Sequence, residues 1–299
     1  MQQPGANVEK TRRNPRPQPT IEVISRSFIL PRSMLHSVLP GFIAVAVFSA
    51  VLTAQSSPPG PSTAQAAAQA PAAAAPAPAK DDYWRKHDEQ VLTDFAWLAR
   101  FRDDDSKLAP PAPGESRVVF MGDSITEGWH FTGPDGSFPG KPYINRGISG
   151  QTSPQMLVRF RQDVIDLKPK VVVILAGTND IAGNTGPMTL EASENNLASM
   201  ADLATANGIK VVLCSVLPAA DFWWHKGLEP AEKIVALNTW IKSYAAEKRY
   251  IYVDFLSAMK DEHDGLPPSL SQDGVHPKPA GYAVMTPLVE AGIVKALAQ

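Results

Sequence analysis

Cysteine is almost absent: Cys214 stands alone in 299 residues. No intrachain disulfide can form, and no cysteine-based zinc site can be built. A surplus of charge of one sign is missing too. The chain has 28 Lys and Arg against 30 Asp and Glu, a formal net charge of −2. That balance gives no general pull toward nucleic acid or an anionic membrane surface. Proline is plentiful, 28 residues against 20 glycines, and the excess sits before residue 81. The folded part is therefore shorter than the chain.

From Met1 to Arg32 the chain is polar and basic, with Lys10, Arg12, Arg13, Arg16, Arg26 and Arg32 against Glu9 and Glu22. An apolar run follows, about Leu35 to Ala54, and its part from Gly41 to Ala54 carries no charge. A basic flank, a short apolar stretch and then small residues form the layout of a secretory signal. Cleavage after Ala54, or at the later Ala64-Gln65-Ala66, fits that layout. The run also approaches the roughly 20 residues that span a bilayer. An uncleaved anchor, a membrane tether through residues 35–54, is therefore the alternative, and a buried helix is a third. Basic residues ahead of the run place the N-terminus in the cytoplasm and the remainder outside, an exported periplasmic or extracellular location. With no cysteine beside the run, lipoprotein anchoring is excluded. Met34 is a second candidate start. Between Pro61 and Ala79 only Ser62, Thr63, Gln65 and Gln69 are neither Ala nor Pro. Such a segment has too little apolar bulk for a core and reads as a disordered, semi-stiff tether. The expected division is 1–54 for targeting, 55–80 for the linker and 81–299 for one folded domain.

In residues 81–299 strand and helix patterns alternate. Arg117–Gly122, Tyr143–Gly147, Val171–Gly177, Lys210–Val216 and Tyr250–Phe255 read as strands. The continuous β-branched run of the third is of the kind found in a parallel sheet covered on both faces. Helices fall between them. Ser153 can cap one with Pro154 at its first position, and Met156, Phe160, Val164 and Leu167 form its apolar stripe. A second spans Thr189–Asn207, with Leu190, Leu197, Met200 and Leu203, and Gly208 follows it as a left-handed terminator. Pro230 opens a third, with Ile234, Leu237, Ile241 and Tyr244 inside. A last helix starts near Lys278. An early one, about Tyr83–Phe101, carries Trp84, Val91, Phe95 and Leu98. This alternation implies right-handed crossovers and a parallel sheet in an α/β domain. In such sheets ligands bind beyond the carboxyl ends of the strands, so the residues that follow each strand carry the functional information.

Four segments stand there or before the last helix: Gly122-Asp123-Ser124-Ile125-Thr126-Glu127-Gly128, Asn145-Arg146-Gly147-Ile148-Ser149-Gly150-Gln151-Thr152, Gly177-Thr178-Asn179-Asp180, and Asp273-Gly274-Val275-His276-Pro277. Acyl transfer needs a nucleophile, a base for its proton, a group to hold that base, and donors for an oxyanion. Ser124 sits where a strand turns into a helix, so its hydroxyl can be exposed beside a backbone N–H at a positive helix end. Histidine, whose imidazole titrates near 6.5 when unperturbed, is the natural base, and His276 fills that role. Asp273 can reach the other ring nitrogen. Gly150 has no side chain, so its N–H can approach a reacting oxygen. Asn179 offers an amide donor off the central strand.

These blocks, in this order, resemble the SGNH (GDSL-type) hydrolases, and the resemblance covers nearly all of residues 115–299. It implies a three-layer α/β/α, flavodoxin-like fold with a five-stranded parallel sheet. Asp273, His276 and Asp123 could together hold a metal ion, but nothing in their spacing requires one, and no cofactor is expected. The resemblance implies Ser124 as nucleophile, Asp273 and His276 as its triad partners, and Ser124 N–H, Gly150 N–H and the Asn179 amide as oxyanion hole. Ile125 stands where the older motif name has Leu. The segments around Ser124, Gly150 and His276 look most like acetylhydrolase-type members, similar to platelet-activating-factor acetylhydrolase and to bacterial acetylesterases of carbohydrates. The expected activity is release of short acyl groups, acetyl foremost, from a carbohydrate or other small-molecule ester. A phospholipase or thioesterase with a longer acyl pocket, and a non-catalytic glycan-binding module of the cell envelope, are the alternatives.

Competing readings attach to several residues. Asp123 and Asp180 suit structural roles, because short Asp side chains bond nearby backbone at turns. His263 rivals His276, with Asp261 and Asp264 beside it, but it lies in an acidic loop, whereas Pro277 and a helix hold His276 more firmly. Trp129 and Trp223 each read equally as substrate-pocket wall or as packing. Cys214, inside an apolar strand, reads as inert core.

Overall fold

The computed structural model describes residues 82–132 and 136–299. The signal or anchor segment, Met34 and the linker all lie outside the described residues. Five strands form one parallel sheet: β1 Val118–Gly122, β2 Tyr143–Gly147, β3 Val171–Leu175, β4 Lys210–Cys214 and β5 Ile251–Val253. Their order is β2-β1-β3-β4-β5. Each lies within the segment its apolar pattern marks, though β5 is shortened to three residues.

Nine α-helices are described: α1 Asp82–Thr93, α2 Arg102–Lys107, α3 Ser124–Glu127, α4 Ser153–Asp163, α5 Thr178–Ala182, α6 Leu190–Ala206, α7 Ala231–Lys248, α8 Phe255–Met259 and α9 Pro279–Leu297. Alternate residues of each strand face opposite ways, and both faces are covered. On one side Val119, Met121, Val172 and Ile174 join Met156 and Phe160 of α4, Met200 of α6 and Leu237 of α7. On the other, Val118, Phe120, Val171 and Val173 join Met285, Val289 and Ile293 of α9 and Phe255 of α8. The result is a three-layer α/β/α domain, and the double covering explains why β3 has no polar face. α9 is long and apolar enough to cross a membrane by length and composition, yet its Met285, Val289 and Ile293 are wholly buried in the domain core.

Two local expectations are corrected. The early helix does not run from Tyr83 to Phe101 but stops at Thr93. Asp94 captures the Leu98 and Ala99 N–H groups at 2.8 and 3.0 Å, and Trp97 takes φ +53°, so the chain turns. Leu98 is only half-buried and Phe95 is exposed. The N-cap of α4 is Thr152 rather than Ser153; Thr152 N–H donates to Gln155 Oε1 at 2.9 Å in a capping box. The Ser153 hydroxyl donates instead to Asp180.

From β1 the chain goes to the outer strand β2 and then crosses back to β3 on the other flank. The sheet therefore has its topological switch point at β1 and β3, where a crevice opens beyond the carboxyl ends. Gly147 lets α3 sit against the end of β2, because a Cβ there would stand 2.1 Å from Glu127 N. Phe160→Ala, at a fully buried position, is expected to cost about 3–5 kcal/mol. Val158→Ala, two residues away and exposed, should stay within about 0.5 kcal/mol. Urea unfolding of the two variants measures the difference, and equal losses would contradict the assigned faces of α4.

Candidate active site

β1 ends at Gly122, and Asp123 caps the four-residue α3 by accepting from Ile125 N–H at 2.9 Å. Ser124 is thereby the first residue of α3 and stands over the switch point. Its Oγ lies 2.9 Å from His276 Nε2, across 152 positions of sequence. His276 Nδ1 lies 2.7 Å from Asp273 Oδ2. The other Asp273 oxygen accepts from the His276 and Val275 N–H groups at 2.8 and 3.0 Å. Partial burial works against ionisation of Asp273, but the hydrogen bonds from His276 and Val275 outweigh it and hold the carboxyl at about 2. An ionised carboxylate only accepts, so Nδ1 carries the ring proton, and the Nε2 lone pair faces the Ser124 hydroxyl.

The other two strand ends approach the same point. Gly150 takes φ +77°, and a Cβ there would lie 2.9 Å from His87 Nε2. Glu127 holds the preceding residue by accepting from Ser149 N–H at 2.9 Å and from the Ser149 hydroxyl. Among the described residues, neither Ser124 N–H nor Gly150 N–H donates to a protein acceptor. The buried Asn179 amide donates to Gln151 O at 3.0 Å and to Asp123 Oδ2 at 3.3 Å. The second bond is longer than the usual 2.7–3.2 Å range, which makes its proton the one most readily redirected to a bound oxygen.

Asp123 and Asp180 hold backbone and side chains in place. Asp180 is buried and accepts from Ser153 N–H at 2.9 Å and from Ser193 Oγ at 3.1 Å. Burial raises its pKa. Asp123, fully enclosed, is raised by burial to about 6 although the Ile125 N–H favours its charged form. His263 is 81% exposed in its side chain and lines none of the cavity around Ser124. Cys214 is buried in β4, and burial pushes its thiol up.

A cavity of about 510 Å³ opens over Ser124, walled by Gly150, Asn179, Asn184, Trp223, Trp224 and His276 among others. Trp223, half exposed, stands at that cavity. Trp129 does not: it is 2% exposed, stacked at 5.5 Å on Tyr282 and edge-on at 5.8 Å to Phe120. The pocket reading of Trp129 is thus corrected to packing beneath α3. Sequence reasoning missed Asn184, Glu127 and Tyr282 as wall residues and did not separate Trp224 from its neighbours. The available signal for Asn184 was its place between Gly183 and Gly186 in a loop after β3. Among the described residues no group of three or more His, Cys, Asp or Glu converges as for a metal ion.

A hydroxyl, a correctly protonated imidazole, a carboxylate and two open N–H groups beside one crevice are the parts from which acyl transfer is assembled. Residues 120–284 match the GDSL-like lipase/acylhydrolase family. A solved structure of a GDSL-like lipase from Bacteroides thetaiotaomicron is 48% identical, covers 68% of this chain and 100% of that one, and superposes with a TM-score of 0.65. The esterase TesA of Pseudomonas aeruginosa is 31% identical over 134 residues, 45% of this chain and 60% of that one. An acetylxylan esterase of Geobacillus stearothermophilus is 26% identical over 200 residues, 56% of this chain and 90% of that one. The chain spans 32% and 60% of the length of two of the curated relatives it matches. The protein belongs to the GDSL-like lipase/acylhydrolase family, a class of carboxylic ester hydrolases.

The two carboxyls that flank the hydroxyl are set far apart. In ¹³C-carboxyl NMR, Asp123 is expected to titrate near pH 6 and Asp273 near pH 2. An Asp123 signal already ionised at pH 4.5 would contradict its enclosure.

Proposed function

We propose that the protein is a serine esterase that releases acetyl or another short acyl group from an acetylated carbohydrate or similar small ester. The observation that carries this reading is the hydrogen-bonded line Ser124–His276–Asp273, at 2.9 and 2.7 Å, whose first two members line the cavity. Ser124 Oγ attacks the ester carbonyl as His276 Nε2 takes its proton. The Ser124 and Gly150 N–H groups and the Asn179 amide receive the oxyanion. His276 returns the proton to the departing alcohol. Water, deprotonated by the same imidazole, then attacks the acyl-enzyme, and the imidazolium returns that proton to Ser124 Oγ as the carboxylic acid leaves. The similarity to an acetylxylan esterase supports the acetyl group. Trp223 and Trp224, beside Asn184 and Glu127, supply the aromatic faces and polar rim that suit a sugar.

With the purified chain and p-nitrophenyl acetate, Ser124→Ala and His276→Ala are expected to abolish turnover, and retained turnover in either would refute the assignment. Asp273→Asn should lower kcat by up to about 10⁴, and Asn179→Ala by about 10²–10³. His263→Ala should leave both constants unchanged. Since Asp273 stays charged down to about pH 2, its protonation should leave kcat/KM unchanged between pH 8 and 5, and Asp273→Asn should lower kcat at every pH in that range.

A longer acyl group has one observation in its favour. A second cavity of about 380 Å³, with His130, Ser137 and Pro279 in its wall, shares Gly128, Pro277 and Tyr282 with the first. Acetyl esters are expected to exceed octanoyl esters in kcat/KM, and the reverse order would favour that extension. Export rests on the basic and apolar N-terminal layout. The mass of the exported chain distinguishes a cut after Ala54 or Ala66 from an uncut tether through residues 35–54.

A further inference from the structure

Asn184 lies outside the triad and outside the oxyanion donors, yet its whole side-chain amide is engaged at their border. Its Nδ2 donates to Asn179 Oδ1 at 2.9 Å and to Gly150 O at 3.2 Å. Its Oδ1 accepts from Trp224 Nε1 at 3.0 Å. Its backbone N–H donates to Asn179 O at 3.1 Å, and Gly186 N–H donates to Gly183 O at 3.0 Å, which braces the loop. We propose that Asn184 is a positioning residue which, with the indole N–H of Trp224, sets the orientation of the Asn179 amide so that its nitrogen and not its oxygen faces the place of the oxyanion. The proposal rests on the serine esterase reading of the site.

The argument is one of hydrogen-bond polarity. An asparagine amide has a donor end and an acceptor end of nearly the same shape, and rotation by 180° exchanges them. For Asn179 the exchange would point a partial negative charge at a developing negative charge. The line Trp224, Asn184, Asn179, Gln151 and Asp123 resists it, because both ends have a single polarity. An indole nitrogen can only donate. At the far end the Gln151 carbonyl accepts from Asn179 Nδ2 at 3.0 Å. Turning Asn179 alone would set oxygen against the Gln151 carbonyl. Asn184 could follow only by placing its NH₂ against the Trp224 N–H and its oxygen against Gly150 O. Each mismatch leaves partly buried polar groups facing like partners, a cost that disfavours the turned arrangement. Trp224 is itself held in place, stacked at 5.0 Å on Phe222. Its ring also lies 6.2 Å from that of His276, so one residue borders both the base and the amide line.

The test compares kcat and KM for p-nitrophenyl acetate across Asn184→Ala, Asn184→Asp, Trp224→Phe, Asn179→Ala and the Asn179→Ala/Asn184→Ala double variant of the full chain. It adds inhibition by phenylboronic acid, which forms a tetrahedral adduct on a serine oxygen. Asn184→Ala and Asn184→Asp should lower kcat about 10- to 100-fold, below the loss of a whole oxyanion donor, with KM within about threefold as expected for an interaction that matters in the transition state. The boronate Ki should rise in parallel. Trp224→Phe keeps an aromatic face, though a smaller one, and deletes the N–H, and a loss of about threefold or more in kcat with KM within about threefold is expected. This variant carries the same conclusion if the Asn184 variants melt early. If Asn184 acts through Asn179, the double variant should fall within about threefold of Asn179→Ala alone, the non-additivity of residues that work as a unit. Unchanged kcat in Asn184→Asp and Trp224→Phe, or losses that multiply in the double variant, would overturn the role of Asn184 while leaving the esterase reading intact. Turnover that survives Ser124→Ala in the parent chain would instead overturn the esterase reading and this inference with it.

Discussion

A guanidinium sealed from solvent ties the site-bearing segments together. Arg159 of α4 is fully buried. It donates to Gly122 O at 3.0 Å, to Gln151 Oε1 at 2.6 Å and to Asp163 Oδ2 at 3.0 Å. Burial pulls it down to about 10, and the charge and hydrogen bond of Asp163 pull the other way. The cation is kept because the arrangement satisfies it. Gly122 precedes the nucleophile turn and Gln151 follows Gly150, so one planar, five-donor group sets the spacing between β1 and the loop after β2. Lysine, with a single point charge, could not make the three bonds in one plane. The spacing matters because a donor displaced by an ångström no longer meets a developing oxyanion.

Above that support the site contains two carboxyls with opposite tendencies. Asp123 is enclosed, and burial raises it to about 6. Asp273 is one-third exposed in its side chain, and hydrogen bonds from His276 and Val275 hold it at about 2 despite its partial burial. Environments that separate two like groups in this way assign them different work. The charge of Asp273 stands behind the imidazole, 2.7 Å from His276 Nδ1. The more readily protonated carboxyl, Asp123, directly precedes Ser124 and accepts from Ile125 N–H at 2.9 Å.

The central strands β1 and β3 were legible because they are covered on both faces and so read as unbroken apolar runs, whereas the edge strand β2, with Asn145 and Arg146, offers a weaker pattern. The four strand-end blocks were legible because topology, not local propensity, decides where they meet. Other features had no local signal. The apolar spacing of Trp84, Val91, Phe95 and Leu98 fits a helix, but the Asp94 carboxylate competes for the amides and ends it. Thr152 and Ser153 are equally good caps in isolation, and only the presence of Asp180 across the crevice draws the serine away. Trp129 and Trp223 look alike in sequence. Their difference lies in what surrounds them: Phe120, Phe138 and Tyr282 enclose the first, while the second stands half exposed at the cavity. Asn184 was missed because its significance is a pairing with Trp224, 40 positions away.

The hydrogen bond between Ser124 and His276 joins the first strand to the threshold of the final helix. So distant a contact carries the loop-closure entropy of the chain it encloses and must be supported by the layers docked between its ends. Recovery of hydrolysis after denaturation would therefore lag the return of helical signal, and no fragment that stops short of α9 would possess the complete chemistry. The reaction is in effect a built-in gauge of whether the entire domain has reached its native arrangement.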